Sequence, residues 1–264
     1  MRFCLAVAFG LLASSITYSA DTVIFQPTLQ NVDAVSRADL NAIVKELNQA
    51  KCTDLDELAE RVRFAFQEYG YFKVQVADPV LPTAQEIAGK TVVPVPLAVT
   101  AGEKFRLRNI VFSSPATSPP SQLRATFPIK DGDIFNREKI ALGLENLRKV
   151  YGHKGYVDFS AVPDTEIDDL EHTIGLRIDL DEGILYYIGN LVVRGVESEP
   201  GARERLLTGW KKYQGQVYDW RILGQFLRDL HARPQVKPEQ VFEVSEDPKD
   251  HVVNVYITLV RPIF

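Results

Sequence analysis

Cysteine is almost absent from this sequence, and its scarcity excludes a fold held together by disulfides. The 264 residues contain two cysteines, Cys4 and Cys52, and Cys4 lies in an apolar leader at the amino terminus. The cysteine that remains cannot form an internal disulfide, and no catalytic partner stands beside it in the sequence. We therefore expect Cys52 to be a small apolar residue packed between two helices rather than a reactive thiol.

Clustered metal ligands and catalytic motifs are lacking too. The histidines, His153, His172, His231 and His251, are scattered, and none pairs with another at the spacing of a metal-binding helix face. The acidic stretch from Asp164 to Glu171 lacks the glycine and the terminal glutamate of a calcium loop, and no Gly-x-Ser-x-Gly sequence occurs. We predict that the protein is not an enzyme and that it binds no metal or cofactor.

An excess of basic residues is missing as well. The sequence has 30 Lys and Arg residues against 35 Asp and Glu residues, which gives a formal net charge of −5. No long basic block occurs that would follow a phosphate backbone. Nucleic acid is therefore not expected as a partner.

Long apolar runs are confined to the amino terminus. Arg2 is followed by an apolar run from Phe3 to Ala13 and then by small residues up to Ala20. This order is typical of a signal peptide, and we predict one over residues 1–20, with cleavage near Ala20. A membrane anchor is the alternative, but an apolar core of about 11 residues falls short of the ~20 that span a bilayer. We expect an exported, periplasmic protein that is associated with the outer membrane at most peripherally.

What the sequence does contain is an internal repeat with an offset of 83 residues. A turn glycine stays a glycine, a helix-capping residue stays a capping residue, and the apolar positions of one helix stay apolar. The repeated pairs are Phe127/Trp210, Gly132/Gly215, Ile134/Val217, Phe135/Tyr218, Asn136/Asp219, Ile140/Leu223, Leu144/Leu227 and Leu147/Leu230. Such a constant offset indicates a duplicated structural unit.

The repeated unit is centred on one amphipathic helix. Asn136 stands at the N-cap, and Ile140, Leu144, Leu147 and Tyr151 recur at the spacing of a single apolar stripe. The Gly155-Tyr156 step after this helix has an earlier counterpart in Gly70-Tyr71, which indicates a third, divergent copy. Each copy reads strand, helix, helix, strand, strand, and so we predict an α+β fold in which each small three-stranded sheet packs on two helices.

Several strands and loops are predicted with definite bounds. We expect the first strand to be Val23 to Phe25, limited by Pro27, and Thr91 to Thr100 to lie at an edge or bulge because it contains prolines. The stretch from Asp164 to Glu171 is predicted to be an acidic turn. The second strand of each copy is predicted over Phe72 to Ala77, Tyr156 to Val162 and Gln240 to Ser245.

Three sequence patterns of the repeat resemble the polypeptide-transport-associated (POTRA) domain. They are Gly-Asp-Ile-Phe-Asn before the long helix, Tyr-x-x-x-Gly-Tyr at its end and Ile-x-Leu-x-x-x-Leu-Asp-Glu-Gly near the close of the unit. The resemblance implies three tandem POTRA-like βααββ modules over residues 21–103, 104–184 and 185–264. Members of this superfamily usually continue into a membrane β-barrel, and we expect this chain to lack one because it ends just after the third module.

The same resemblance implies a function in recognition. POTRA-like modules resemble one another in offering an exposed strand edge, which can accept an extended peptide as an added strand. The expected partners are unfolded or extended polypeptides, or an outer-membrane β-barrel protein, in outer-membrane protein assembly or secretion. The predicted edge residues are Phe72, Val74, Val76, Tyr156, Asp158, Ser160, Val241 and Glu243.

Other interpretations remain open at this point. The edges are inert if charges such as Lys73, Asp158 and Glu243 guard them against pairing. The chain is alternatively a rigid adaptor or spacer that docks one folded partner, or a remnant of an outer-membrane assembly factor without its barrel.

Overall fold

The structure is a computed structural model that describes most of the chain. It covers residues 23–49, 51–80, 82–83, 87, 91–113, 117–195, 200–231 and 241–259. The predicted signal peptide lies outside these residues. The chain divides into two compact units, one made of residues up to Ala65 with Gln75–Thr100 and the other of Phe66–Val74 with Ala101–Phe264.

The described elements follow the predicted order of the repeat. The strands are β1 (Ile24–Gln30), β2 (Gln75–Val76), β3 (Val92–Thr100), β4 (Arg106–Phe112), β5 (Ser160–Asp168), β6 (Thr173–Asp181), β7 (Tyr187–Gly195), β8 (Val241–Asp247) and β9 (Val252–Leu259). The helices are α1 (Arg37–Gln49), α2 (Asp56–Glu68), α3 (Pro120–Arg124), α4 (Arg137–Gly152), α5 (Ala202–Trp210) and α6 (Trp220–His231).

The described strands form three sheets with one topology, which confirms the predicted α+β class and the βααββ unit. Their orders are β1-β3-β2, β4-β6-β5 and β7-β9-β8. In each sheet the last strand of the unit is central, runs parallel to the first strand and runs antiparallel to the second. The second strand is therefore always at an edge. The residue boundaries between the three modules remain our prediction.

Helix α4 begins and packs as its sequence predicts. Asn136 has extended backbone angles, and its side-chain oxygen accepts a hydrogen bond from the Lys139 N–H at 2.7 Å. Ile140, Leu147 and Tyr151 of the stripe are buried with the central strand β6 in one core cluster, and Leu144 packs against it partly buried. On β6 the predicted inward residues are all buried; they are Ile174, Leu176, Ile178 and Leu180.

The prediction that Cys52 is buried is confirmed, and the structure shows that it lies against strand β1. Its side chain is 3% exposed, and its backbone forms a single bridge with Phe25 of β1. The equivalent bridges in the other sheets join Arg106 to Ile134 and Tyr187 to Val217. Cys52 thus occupies a position that is aliphatic in the other two modules.

Two predictions about prolines were wrong. Strand β1 continues through Pro27 to Gln30, because β1 is an edge strand and tolerates a missing N–H on its open side. Strand β3 is central rather than at an edge. The Ala77 N–H donates to the Ala98 carbonyl, so the backbone groups of Ala98 point toward β2. Because residues two apart direct their backbone groups to the same side, the backbones of Pro94 and Pro96 also point toward the β2 side. Strand β2 ends at Val76, so no described strand lies opposite these prolines.

Three predicted boundaries around the second strands were also wrong. Residues Phe72 to Val74 lie outside β2, which is limited to Gln75–Val76. Strand β5 begins at Ser160 rather than Tyr156 and continues to Asp168, through most of the predicted acidic turn. The acidic residues of this strand are compatible with it because they face away from the core.

A glycine of the second module is replaced by a phenylalanine in the third. A Cβ atom at Gly143 would lie 2.1 Å from Cδ1 of the buried Phe127 ring. In the third module the equivalent of Gly143 is Phe226, whose ring meets Trp210 edge-on at 4.9 Å between centroids. The Trp210 indole N–H donates to the Gly189 carbonyl at 2.9 Å. The two cores are therefore filled by different pairs of side chains at equivalent positions.

We expect Gly143→Ala to destabilise the protein by about 2 kcal/mol, because the buried Phe127 ring must shift to admit the methyl group. Urea unfolding followed by far-UV circular dichroism measures the change. Gly152→Ala in the same helix is the matched control, since nothing lies within 4 Å of a Cβ at that position. Equal stabilities of the two variants would contradict this account of the core.

Candidate strand edges for peptide binding

The backbone groups that the sheets leave unpaired are the candidate site. On β6, the carbonyls of His172 and Ile178 accept hydrogen bonds from the β4 side, from the N–H groups of Arg106 and Ser113. Residues along a strand alternate in the side to which their N–H and C=O groups point. The even-numbered residues of β6 therefore bond to β4 and the odd-numbered residues bond to β5.

This alternation decides which groups of β5 face outward. Asp164 pairs with Arg177 and Glu166 with Gly175, so these residues of β5 bond to β6. The remaining residues direct their backbone groups to the open side of the sheet, where the described residues place no further strand. They are Ala161, Pro163, Thr165 and Ile167.

The side chains of these outward residues lie on the helix-facing side of the sheet. Ile167 is paired with the buried Ile174 of β6, yet it is 41% exposed because helix α4 does not cover this end of β5. At the opposite end of the strand, beside Ala161, a groove of about 170 Å³ separates α4 from β5. The groove is lined by Ala141, Leu144, Glu145, Arg148, Phe159 and Ala161. An apolar row therefore runs next to the unpaired backbone.

The acidic side chains of β5 lie on the opposite face of the sheet. Arg177 donates to Asp164 at 3.0 Å, and Arg108 donates to Glu166 at 2.8 Å. The hydrogen bond to Asp164, together with the charges of the nearby acids, raises the pKa of the Arg177 guanidinium. These ion pairs join β5 to β6 and, across β6, to β4 on the outer face of the sheet, away from the groove.

Strand β8 repeats the arrangement in the third sheet. The Tyr187 N–H donates to the His251 carbonyl, so the odd-numbered residues of β9 bond to β7 and the even-numbered ones to β8. The pairing of Ser245 with Asn254 then leaves Phe242, Val244 and Glu246 facing outward. Val244 is 45% exposed although it shares a face with the buried Val255.

The family of the second module follows from comparison with known proteins. Residues 105–183 match the model of the POTRA family, described as a surface antigen variable number repeat. The sequence of the second module is therefore similar to that of a POTRA domain. This match contains both the groove and the outward edge of β5.

Two relatives extend the comparison beyond this POTRA domain. The outer membrane protein assembly factor BamA of Buchnera aphidicola subsp. Acyrthosiphon pisum (strain APS) is 21% identical over 171 residues, which are 64% of this chain and 27% of that protein. The chain thus spans about a quarter of that relative. The crystal structure of Haemophilus influenzae BamA POTRA3-5 superposes with a TM-score of 0.63 at 16% identity and covers 91% of this chain and 96% of that one. The fold is that of tandem POTRA modules.

The structure places the predicted site residues before the POTRA edge strands or inside the sheets. Phe72 is half-buried, and its ring meets that of Phe135 edge-on at 5.2 Å between centroids. Val74 and Val76 are buried. Tyr156 precedes β5 and forms a backbone bridge with Leu185.

Asp158, Ser160, Val241 and Glu243 lie at the start of the edge strands or within them. Asp158 precedes β5 and accepts a hydrogen bond from the Tyr186 hydroxyl at 2.8 Å. The other three residues lie in β5 or β8, but the alternation directs their backbone groups to the neighbouring strand. The outward residues of β5 and β8 could not be chosen from the sequence, because that choice depends on the pairing register.

The predicted charge guards do not occupy the outward backbone positions. Lys73 forms an ion pair with Asp169, in the turn after β5. Glu243 lies 4.0 Å from Arg194, across the outer face of the third sheet. Neither Lys73 nor Glu243 therefore guards an outward backbone group of β5 or β8.

The second and third modules are joined through a glycine turn. Gly155 has a φ of +88°, and its carbonyl accepts the Tyr186 N–H at 2.9 Å. A Cβ at Gly155 would lie 2.9 Å from the Tyr186 carbonyl oxygen and 2.7 Å from Val217. Gly70, with a φ of +91°, accepts the Phe105 N–H in the same way. The close approach at both turns requires glycine.

Asp219 links the cap of α6 to the preceding module. Its carboxylate accepts the Arg221 backbone N–H at 2.9 Å and lies 3.1 Å from Nδ1 of His153, whose ring stacks on Trp220. Burial acts to raise the pKa of Asp219, but hydrogen bonds from Arg221 and His153 outweigh it and hold the pKa below its ordinary value. The charged carboxylate therefore stabilises this junction.

We expect Asp219→Asn to lower the free energy of unfolding by about 1 kcal/mol near neutral pH. Asparagine keeps the capping oxygen, as Asn136 does in the second module, but loses the charge. Because the folded pKa of Asp219 is depressed, the wild-type advantage is present above the ordinary pKa of 3.8 and is lost as the pH falls through the folded value. Urea unfolding at a series of pH values measures it. A difference that does not change with pH would contradict the electrostatic role.

One polar cluster resembles a nucleophile with its base. The Lys154 ammonium donates to the Ser118 hydroxyl at 2.6 Å, beside the buried hydroxyl of Tyr151. Burial, with Glu182 nearby, raises the pKa of Tyr151 to about 12. Ser118 is 2% exposed and lines none of the described cavities. This cluster fastens the loop before α3 to the end of α4 and offers a substrate no access.

The described residues contain neither a metal-binding cluster nor a membrane-spanning helix. No group of three or more His, Cys, Asp or Glu side chains in the described part of the chain is arranged to hold a metal ion. Within the described ranges, no helix combines the length and the apolar character that crossing a membrane requires.

Proposed function

We propose that this chain binds extended polypeptide segments as strands added to β5 and β8, and that it acts as a scaffold in outer-membrane protein assembly or secretion. One observation carries the proposal. At β5, a row of outward backbone N–H and C=O groups lies next to an open groove with apolar side chains. A peptide on this edge would place every second side chain on the groove and the others beside the ionic outer face.

A strand edge of this kind is expected to bind peptides with little preference for their sequence. Backbone hydrogen bonds depend on no particular side chain, and each contributes about 1 kcal/mol net. The exposed apolar surface of Ile167 and of the groove adds a preference for segments with alternating apolar residues. Segments with this alternation are common in strands that are apolar on one face, including those of outer-membrane proteins.

The comparisons support the cellular setting of the proposal. The curated relative is named an outer membrane protein assembly factor, and the structural relative consists of its POTRA modules. The predicted signal peptide would export the chain to the periplasm, where such substrates are unfolded. An adaptor that docks one folded protein is the competing function, and the experiment below separates the two.

The test is a titration of the isotope-labelled mature chain with an extended peptide. The probe is a ten-residue acetylated peptide of alternating valine and threonine with a lysine at each end. We expect saturable changes in the amide shifts of Thr165 and Ile167 or of Val244 and Glu246. A peptide of the same composition with proline at every second position cannot pair and serves as the control. Unchanged spectra would remove the basis for peptide binding and favour the adaptor.

The groove has its own test in a matched pair of leucines on α4. We expect Leu144→Gln to weaken binding of the probe to β5 by about tenfold, because the amide replaces apolar surface where peptide side chains would pack. Leu142→Gln is the control, since Leu142 is 47% exposed and does not line the groove. Circular dichroism monitors folding of both variants. Equal effects of the two substitutions would show that the groove takes no part.

A further inference from the structure

The two edges differ in the donors that they present. Of the four outward positions of β5, the second is Pro163, which has no N–H group. The outward positions of β8 are Phe242, Val244 and Glu246, and each carries an N–H group. The open side of β5 is therefore interrupted near its beginning, whereas that of β8 is continuous.

The missing N–H group of Pro163 weakens the binding of an added strand by more than the loss of one hydrogen bond. The carbonyl that would face Pro163 is removed from water without a partner, which costs more than the absent bond alone. The proline ring also projects toward the position of the incoming backbone. Pro163 then divides the β5 edge into two short stretches, one at Ala161 beside the groove and one from Thr165 to Ile167.

The charges around β8 indicate which segments it accepts. Glu243 and Asp247 lie on the outer face of the strand, and Glu246 lies on the helix-facing side, where its outward backbone group would meet an added strand. Arg194, on the same sheet, is 4.0 Å from Glu243. Three acidic residues within seven disfavour an acidic segment and favour a neutral or basic one.

From these observations we infer that β8 is the principal binding edge, that it takes neutral or basic extended segments, and that Pro163 restricts β5 to a short secondary site. This inference rests on the proposed function. It goes further in ranking the two edges and in assigning the difference to one residue.

The first test removes one donor from β8. Val244→Pro deletes an N–H group that bonds to nothing within the sheet, so we expect the variant to fold normally and to bind the valine–threonine probe about tenfold more weakly. Glu243→Pro is the structural comparison, because the Glu243 N–H faces β9 and its loss should lower the stability of the sheet. Amide shifts of the full mature chain report both folding and binding.

The second test restores a donor to β5. We expect Pro163→Val to strengthen binding at the Thr165 and Ile167 amides by about tenfold. Thr165→Val, which leaves every outward N–H in place, is the control and should leave the affinity unchanged. Replacing the two lysines of the probe with glutamates should weaken its binding at β8.

The outcomes separate the ranking of the edges from the proposed function. Shifts centred on β8, reduced by Val244→Pro, support the inference. Binding that Val244→Pro leaves unchanged, or that is centred on β5 in the wild-type chain, overturns the inference and leaves the proposed function standing. If neither the wild-type chain nor Pro163→Val binds the probe, the proposed function fails and the inference fails with it.

Discussion

The alternation along the central strand of each sheet fixes both the core and the open surface of the module. On β6, one set of residues buries its side chains and bonds to β4, while the other set bonds to β5 and directs its side chains outward. Because β5 must match this register, its free backbone groups and its helix-facing side chains belong to the same residues. Ala161 and Ile167 therefore combine outward backbone groups with side chains on the helix-facing side of the sheet.

A second constraint connects one module to the next. At Gly155, the left-handed backbone brings the end of α4 against the start of β7, and the turn before α6 packs on the same glycine. The Gly70 turn packs on Phe105 and Ile134 in an equivalent way. The capping residue of the following helix completes each contact, through the Asn136 amide on the Glu68 carbonyl or the Asp219 carboxylate near His153. Residues that begin a helix in one module thus also secure the module before it.

Most of the fold could be predicted from the sequence, because its helices and central strands bury one face. The stripe of α4 and the alternation of β6 produce clear periods of 3.6 and 2 residues. Strand β5 lacks such a signal: its helix-facing side is largely uncovered, and its outer face carries acids that pair with Arg108 and Arg177. The predicted acidic turn was wrong for this reason. The sequence could not predict which backbone N–H and C=O groups of β5 and β8 face outward, because a register shift of one residue exchanges the outward and the inward groups.

In the proposed function, the residues that keep an open edge from pairing with itself also select what it binds. An unprotected edge strand pairs with copies of itself, so a binding edge must limit pairing without closing. In β5 the limit is Pro163, which removes one donor while leaving the groove accessible; in β8 it is a high density of acidic residues such as Glu243 and Glu246. Two identical β8 edges would bring like charges together, whereas a neutral or basic segment would not. Protection against self-association and selection of a partner are therefore consequences of the same residues.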